Sequence, residues 1–381
     1  MTDLNYPQFA GTRLRVDLDA LVANWRQAQE KVGRAQAAAA VKADAYGLGL
    51  EPVAGALIDA GCTDFFVATI EEGVRLCALN TGINIHLLSG LLPGFADICR
   101  SHSLIPALYS AETYREWMAE CPDKPHTLHL GTGINRLGLP VVDYREIAVQ
   151  IKNSVYHRPD LLMSHLACAD EPDHPMNAEQ LDLFNELRAL LPDVPCSLSN
   201  SAGIDLGPDF HFDMVRPGIA LYGGWNLADY QTVASFEARV AQIKKVKKGE
   251  RIGYGGSHTF DRDGEIAVVS AGYADGYHRS ASGSGTAMRD LQEPAKAWIK
   301  GHFVPSLGRV SMDLAAFDVT DLPEGTAQAG DWIEIFGRNV SIDGVAQGCG
   351  SIGYEMLTSV GARTVRIYEH GEEPGKERSD G

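Results

Sequence analysis

Lys42 ends an apolar run of small residues: AQAAAAV is followed at once by KADAYGLGL, residues 42–50. A lysine in such a place has two ordinary fates. Its stem can lie along apolar surface with the ammonium in water, or its amine can be desolvated and used as a nucleophile or base. Other polar groups stand just after apolar runs of the same kind: Arg136 beyond HLGTGIN, His165 in MSHLACAD, Asn200 and Ser201 in SLSNSAG, and Arg216, Gly218 and Ile219 in VRPGI. Taken singly, His165 reads as a hydrogen-bonded structural histidine, Ser201 as a turn residue, and the two arginines as surface ion-pair residues. Taken together, at the ends of successive apolar runs, they read as one site.

The elements that must position them follow from the pattern. After a first strand and helix in RLRVDLDALVANWRQAQEKVG, eight apolar or β-branched runs recur up to about residue 224: AAAAVKAD, DFFVAT, NIHLLSG, LIPALYS, HTLHLGTG, LLMSHLACAD, PCSLSNSAG and MVRPGIALYG. Between most of them lie stretches such as LEPVAGALIDAG, IEEGVRLCALN, AETYREWMAEC, YREIAVQIKN and AEQLDLFNELRALL, with apolar residues at helical spacing. Eight strands alternating with helices predict an α/β fold, a (β/α)8 barrel. Only the link between strands seven and eight, IDLGPDFHFD, is too rich in Pro and Gly for a full helix. Barrels carry their chemistry at the C-terminal strand exits and often bind phosphate in the loops after strands seven and eight. SNSAG and RPGI fall there, in the same barrel as a lysine at the exit of strand one. That combination suits a phosphorylated aldehyde held as a Schiff base, the chemistry of pyridoxal 5′-phosphate.

From Ala234 the texture changes to short alternating strands with Gly and Pro turns, in FEARVAQIKKVKKG, EIAVVSAGYADGY, AWIKGHFV, MDLAAFDV, DWIEIFG and ARTVRIYE. The expected organisation is an N-terminal strand over 1–14 packing with the C-terminal domain, a barrel over 15–233, a β-rich domain over 234–370 and a mobile acidic tail over 371–381. The formal charge of −17 opposes nucleic-acid binding, because phosphates are met by Lys and Arg, which are outnumbered here. Small-molecule partners are expected. No apolar run approaches the ~20 residues of a membrane span, and the start lacks a basic segment leading into an apolar one. The seven cysteines form an odd set without CxxC spacing, which predicts reduced thiols and no metal site. A cytoplasmic protein is expected.

The blocks AVKADAYGLG, TGINRLG, SHLACAD, NSAG, RPGIALYG, IGYGGSHTF, SAGYADGYHR, GRVSMD and IGYEML resemble, in order and over almost the whole chain, those of the alanine racemases. The resemblance implies a pyridoxal-phosphate barrel followed by a β domain, and a head-to-tail homodimer whose active sites are shared between subunits. It implies interconversion of L- and D-alanine, either to supply D-alanine for peptidoglycan or in alanine catabolism. By the same resemblance Lys42 holds the cofactor and is one catalytic base, and Tyr254 is the opposite base, reaching the site from the partner. His165 lies beside the pyridine ring and Arg216 bonds its nitrogen. Ser201, Gly218, Ile219 and Tyr354 form the phosphate cradle, with Tyr46 and Asn200 also at the cofactor. Arg136 and the backbone N–H of Met312 meet the substrate carboxylate, and Tyr273 and Asp170 line the approach.

The implied chemistry accounts for these residue types. Racemisation removes a proton from one face of the α-carbon and returns one to the other, so two acid/base groups must flank it. Lysine and tyrosine both have high reference pKa values, so a cationic, partly desolvated site is required. An arginine at the ring nitrogen gives up no proton and leaves the ring a weaker electron sink. Three alternatives remain: a broader amino-acid racemase acting on serine, for example; a decarboxylase of the same barrel class, which would place an acid where Arg216 stands; and a non-catalytic pyridoxal-phosphate carrier. The chain departs from the family in one segment. Many relatives have a lysine, carbamylated in a number of them, where this chain has His129, and an aspartate where it has Gly131. An imidazole forms no such stable carbamate, so another device must hold Arg136, and activity indifferent to bicarbonate is expected.

Overall fold

The computed structural model describes residues 7–79, 82–153, 158–225, 229–283 and 295–370. They form two compact units. One holds Leu21–Ala45 and Gly49–Leu221; the other holds the described residues of Met1–Ala20, Tyr46–Leu48 and Tyr222–Gly381. The acidic tail expected over 371–381 lies outside the described residues.

The first unit is the (β/α)8 barrel. Its parallel strands run in chain order from Ala39–Ala40 through Asp64–Val67, Asn84–Leu87, Leu104–Leu108, Thr127–His129 and Leu161–Met163 to Cys196–Ser197. The eighth strand, Met214–Val215, pairs with Gln36–Ala37 of the first. The N–H groups of Asp213 and Arg216 donate to the carbonyls of Cys196 and Ser199, which closes the ring. All eight strands fall in the eight apolar runs. Parallel strands covered by helices have no solvent face, so they read as continuous apolar stretches.

Ala38, Ala40, Phe66, Ala107, Leu161, Met163 and Met214 pack together as a buried cluster of this unit. The alanines of the opening run are therefore core residues whose small size leaves room for Phe66 and the methionines. At the strands' N-terminal ends Asp64 is buried among His86, Thr63 and Asn84. Burial raises its pKa, but hydrogen bonds from those three prevail and hold it down to about 2. Helices Leu50–Asp59, Ile70–Cys77, Ala96–Ser101, Ala111–Glu120, Val141–Lys152 and Pro175–Arg188 alternate with the strands. Between strands seven and eight only a short turn of helix, Ser201–Asp205, and a 3-10 turn, Pro208–Phe210, are formed.

The second unit is β-rich. The long strand Ala234–Val246 pairs with Thr12–Asp17 and Trp332–Phe336 along its first half and with Gly264–Val269 along its second. A register shift between Val240 and Gln242 bends it between these partners. Ala315–Asp318, His302–Leu307 and Lys296–Ile299 complete the circuit between Gly264–Val269 and Trp332–Phe336. Val365–Glu369 adds to Thr12–Asp17 in parallel. The run AWIKGHFV is two strands rather than one: Lys300 and Gly301 both take positive φ (43° and 93°), which makes a two-residue hairpin turn. The first helix starts at Leu18, directly after its strand. Among the described residues no helix is long and apolar enough to cross a membrane.

Candidate active site

Lys42 leaves the first barrel strand into an unusual turn. Ala43, Asp44, Ala45 and Tyr46 all lie in the left-handed region, with φ between 54° and 55°. Outside glycine this conformation costs roughly 1–2 kcal/mol per residue, so four in succession must be held by their surroundings. The N–H of Ala45 donates to Val41 and that of Gly49 to the Asp44 carbonyl, both at 2.9 Å. The Asp44 carboxylate accepts from the N–H of Leu50 at 3.1 Å and from Arg75 at 2.8 Å. Lys42 itself is half-buried. Burial, then the charge of Arg136 and that of Arg216, push its ammonium below the usual lysine range, against an opposing pull from Glu72.

Arg216 is a buried cation of the barrel unit. Its guanidinium donates to the hydroxyl of Ser197, to the carbonyl of Ser164 at 2.6 Å and to that of Leu198 at 3.3 Å, and it stands 5.8 Å over the ring of Phe66. Burial lowers its pKa to about 10, which leaves it charged at neutral pH. His165 is held well below the normal histidine range by burial first, then by Arg216, Arg136 and Lys42. Gln180 fixes the chain around it, donating to the His165 carbonyl at 2.9 Å and to the Thr132 hydroxyl at 3.0 Å. The cations Arg216 and Arg136, with His165, make a site suited to anions and disfavour an ammonium beside them.

The loops after strands seven and eight join through Ser201, whose hydroxyl accepts from the N–H of Gly218 at 2.9 Å and of Ala220 at 3.2 Å. Asn200 caps the short helix by accepting from the N–H of Gly203 at 2.9 Å. The N–H groups of Ser201, Ala202 and Ile219, all buried residues, meet no acceptor among the described residues. Unpaired buried donors of this kind are a cradle for an anion. Together with a lysine of lowered pKa in the same unit, they fit a phosphorylated aldehyde.

Arg136 is exposed, follows the left-handed Asn135, and makes no hydrogen bond or ion pair among the described residues. His129 is buried, and neither of its ring nitrogens finds a partner among the described residues. Its pKa falls to about 4 through burial, then Arg216, then Arg136. Asp170 is exposed. One consequence is testable by titration. In the unfolded chain a histidine takes up its proton near pH 6.5, whereas native His129 refuses it until about pH 4. Its contribution to stability is whole above pH 6.5 and is lost as the pH falls toward 4. The expected loss is roughly 2–3 kcal/mol. Urea midpoints measured across this range should fall less steeply in His129→Gln than in the parent, and identical slopes would contradict the assignment.

The second unit carries the remaining candidates. Tyr254 sits on a turn in which Gly253, Gly255 and Gly256 all have positive φ, which explains the IGYGG block. It is 71% exposed. A cleft of about 470 Å³ opens beside it, lined by Ile252, Leu307, Arg309, Ser311 and Leu314 among others. Tyr273 and Met312 belong to interlocked loops: the N–H groups of Tyr273 and Ala274 donate to the carbonyls of Ser311 and Met312 at 3.1 and 3.0 Å. A side chain at Gly272 would collide with both carbonyls. The N–H of Met312 meets no acceptor among the described residues. Tyr46 is buried, its ring 4.6 Å from that of Tyr222 and 6.1 Å from that of Tyr354. Burial, and then Tyr354, push its phenol above the usual range.

The sequence model of the family described as "Alanine racemase, N-terminal domain" matches residues 16–225, and that of "Alanine racemase, C-terminal domain" matches 233–368. The chain belongs to the alanine racemase family. It is 48% identical to the alanine racemase of Rhizobium meliloti (strain 1021), covering 96% of this chain and 99% of that one. It is 47% identical to the biosynthetic alanine racemase of Agrobacterium fabrum, covering 94% of each. The crystal structure of alanine racemase from Bartonella henselae, with covalently bound pyridoxal phosphate, superposes with a TM-score of 0.86 at 35% identity, over 94% of this chain and all of that one.

The racemase barrel also contains groups that the residue patterns did not single out. Ser164, Ser197 and Phe66 fix Arg216, yet each is an ordinary residue of an apolar run in the sequence. Glu72 and Arg75 grip the turn after Lys42. Glu72 did leave a signal, since Thr69-x-x-Glu72 is a helix capping box.

Proposed function

We propose that this protein interconverts L- and D-alanine with pyridoxal 5′-phosphate, using Lys42 and Tyr254 as its two bases. The observation that carries the reading is Lys42, a lysine of lowered pKa on a braced left-handed turn beside two cations, in a chain of the alanine racemase family. Ser201, Gly218, Ile219 and Tyr354 would hold the cofactor phosphate, with Tyr46 and Asn200 supporting them. Arg216 would meet the ring nitrogen and His165 the ring. When bound, the cofactor withdraws electrons from the amino acid's α-carbon and makes its proton removable.

The protein's own part is to move that proton. Lys42, its ammonium disfavoured by burial and by Arg136 and Arg216, accepts it on one face or returns it there. Tyr254 does the same on the other face. Arg136 and the N–H of Met312 hold the substrate carboxylate, and Tyr273 and Asp170 border its approach. Arg216, which stays charged, donates hydrogen bonds and passes no proton on.

Tyr254 does this work from a second copy of the chain in a homodimer with shared sites. The reading is supported by exposure: Tyr254 and Met312, which would have to act away from bulk water, are 71% and 52% exposed, and Tyr273 and Leu314 are also open. Exposed aromatic and apolar side chains, with Tyr254 and Leu314 lining one cleft, suit burial by a partner. The amino acid is the small-molecule partner, and the cytoplasm is the compartment. Chiral analysis of products tests the whole: L-alanine should yield D-alanine and the reverse. Release of carbon dioxide would indicate the decarboxylase, faster turnover of serine a broader racemase, and no turnover a carrier.

A further inference from the structure

The helix Ile70–Cys77 does more than follow the second barrel strand. In an ordinary capping box the Glu carboxylate reaches back to one N–H at the helix start. Here the Glu72 carboxylate accepts from three: Ala68 at 2.8 Å and Thr69 at 3.3 Å through one oxygen, and Asp44 at 3.2 Å through the other. The last of these belongs to the left-handed turn, two residues past Lys42. One helical turn on, Arg75 holds the Asp44 carboxylate at 2.8 Å and is itself held by Glu51 at 2.7 Å. That surface network is half open to water and contributes little by itself. Glu72 supplies the less exposed grip.

We propose that Glu72 is a positioning residue for Lys42, its carboxylate bridging the exit of the second strand and the left-handed turn so that the lysine is presented in one direction. The inference rests on the reading of Lys42 as the cofactor lysine. Three kinds of observation meet in it. The turn is one that Ala43, Asp44 and Ala45 would not adopt unaided. The Asp44 N–H is one of its donors, and Glu72 is its acceptor. Among the described residues, the groups whose charges act on Lys42 or on His165 beside it are Arg136, Arg216 and Glu72, with His129 beside His165, and Glu72 is the anion among them.

The test compares the full-length protein with its Glu72→Gln and Glu72→Asp variants. Covalent capture of pyridoxal phosphate by a lysine gives a visible absorbance band, and capture needs the neutral amine. Without any amino acid present, the pH at which half the added cofactor is captured should fall by about one unit in Glu72→Gln, because the anion that favours the ammonium is gone. With alanine present, kcat should drop roughly tenfold or more while KM changes little, since misdirected bases lose rate before binding. Glu72→Asp keeps the charge but shortens the reach, so its capture midpoint should stay near that of the parent while kcat falls. If Glu72→Gln folds poorly, Glu72→Asp still decides the matter through kcat. Adding Ala43→Gly to either variant should recover part of the lost kcat, because glycine takes the left-handed conformation freely.

Parent-like midpoint and kcat in Glu72→Gln, or a parent-like kcat in Glu72→Asp, would overturn the proposal. So would a loss of thermal stability with neither quantity moved, which is the signature of a helix cap alone. Failure of the underlying reading looks different: the parent's visible band would map, after borohydride reduction and peptide mass analysis, to a lysine other than Lys42.

Discussion

Lys42→Ala is expected to lose racemisation by roughly 10⁴-fold or more, together with the visible band of the captured cofactor. The two losses have separate causes. Without the amine there is no covalent attachment, and without the base no group returns the proton on that face. Because Lys42 is half-buried at a strand exit, its removal leaves the barrel core untouched, so the variant should fold. Added methylamine should restore some turnover, since a free amine can enter the space the side chain leaves. A Lys42→Ala protein that retained parent-like activity would show that the assignment of the base is wrong.

Tyr254→Phe should be nearly as damaging and in a more selective way. It keeps the ring on its glycine-braced turn and removes only the hydroxyl, so proton transfer on the face served by Tyr254 should slow by roughly 10²–10⁴-fold. Cofactor capture should survive, because Lys42 is intact. The exposure of Tyr254 adds a second expectation. If each site takes its lysine from one copy and its tyrosine from the other, mixing Tyr254→Phe with Lys42→Ala subunits creates dimers in which one of two sites has both bases. Activity should reappear on mixing. Subunit exchange proven by mass, without any recovery, would count against a shared site.

Much of this was legible in the residues, and what was not has physical reasons. The barrel strands were visible because parallel strands buried on both faces leave uninterrupted apolar runs, and the residues at their exits were visible because Arg, His and Lys are conspicuous after such runs. The left-handed turn was not. Ala43, Asp44, Ala45 and Tyr46 carry no shared preference for positive φ, so their conformation is imposed by Glu72, Arg75 and the chain around them, which lie about 25 to 30 residues further on. The hairpin in AWIKGHFV was missed for a smaller reason: its Lys-Gly turn occupies only two residues, and alternation continues on either side of it. Ser164 and Ser197 were hidden because a serine that holds a buried arginine looks like any other small residue of a strand.

His129 shows the opposite case, a residue conspicuous in the sequence whose neighbours only the structure reveals. The absence of a lysine at that position implied that Arg136 would need another anchor. Arg136 has no hydrogen bond or ion pair among the described residues, and His129, neutral and unpartnered, supplies no negative charge to it. In the proposed role, its anchor would be the substrate carboxylate itself.

Lys42 and Tyr254 are proposed to work as bases on opposite faces of one α-carbon, and solvent isotope exchange distinguishes two bases from one. The parent enzyme should be incubated in deuterium oxide with L-alanine or with D-alanine, and deuterium at the α-carbon followed in both enantiomers from the first turnover. Two separate bases predict deuterium in the newly formed enantiomer from the start, with the remaining substrate enantiomer labelled more slowly. Product that instead keeps its original α-hydrogen in early turnovers would mean that a single base carries the proton between faces, and would contradict the account.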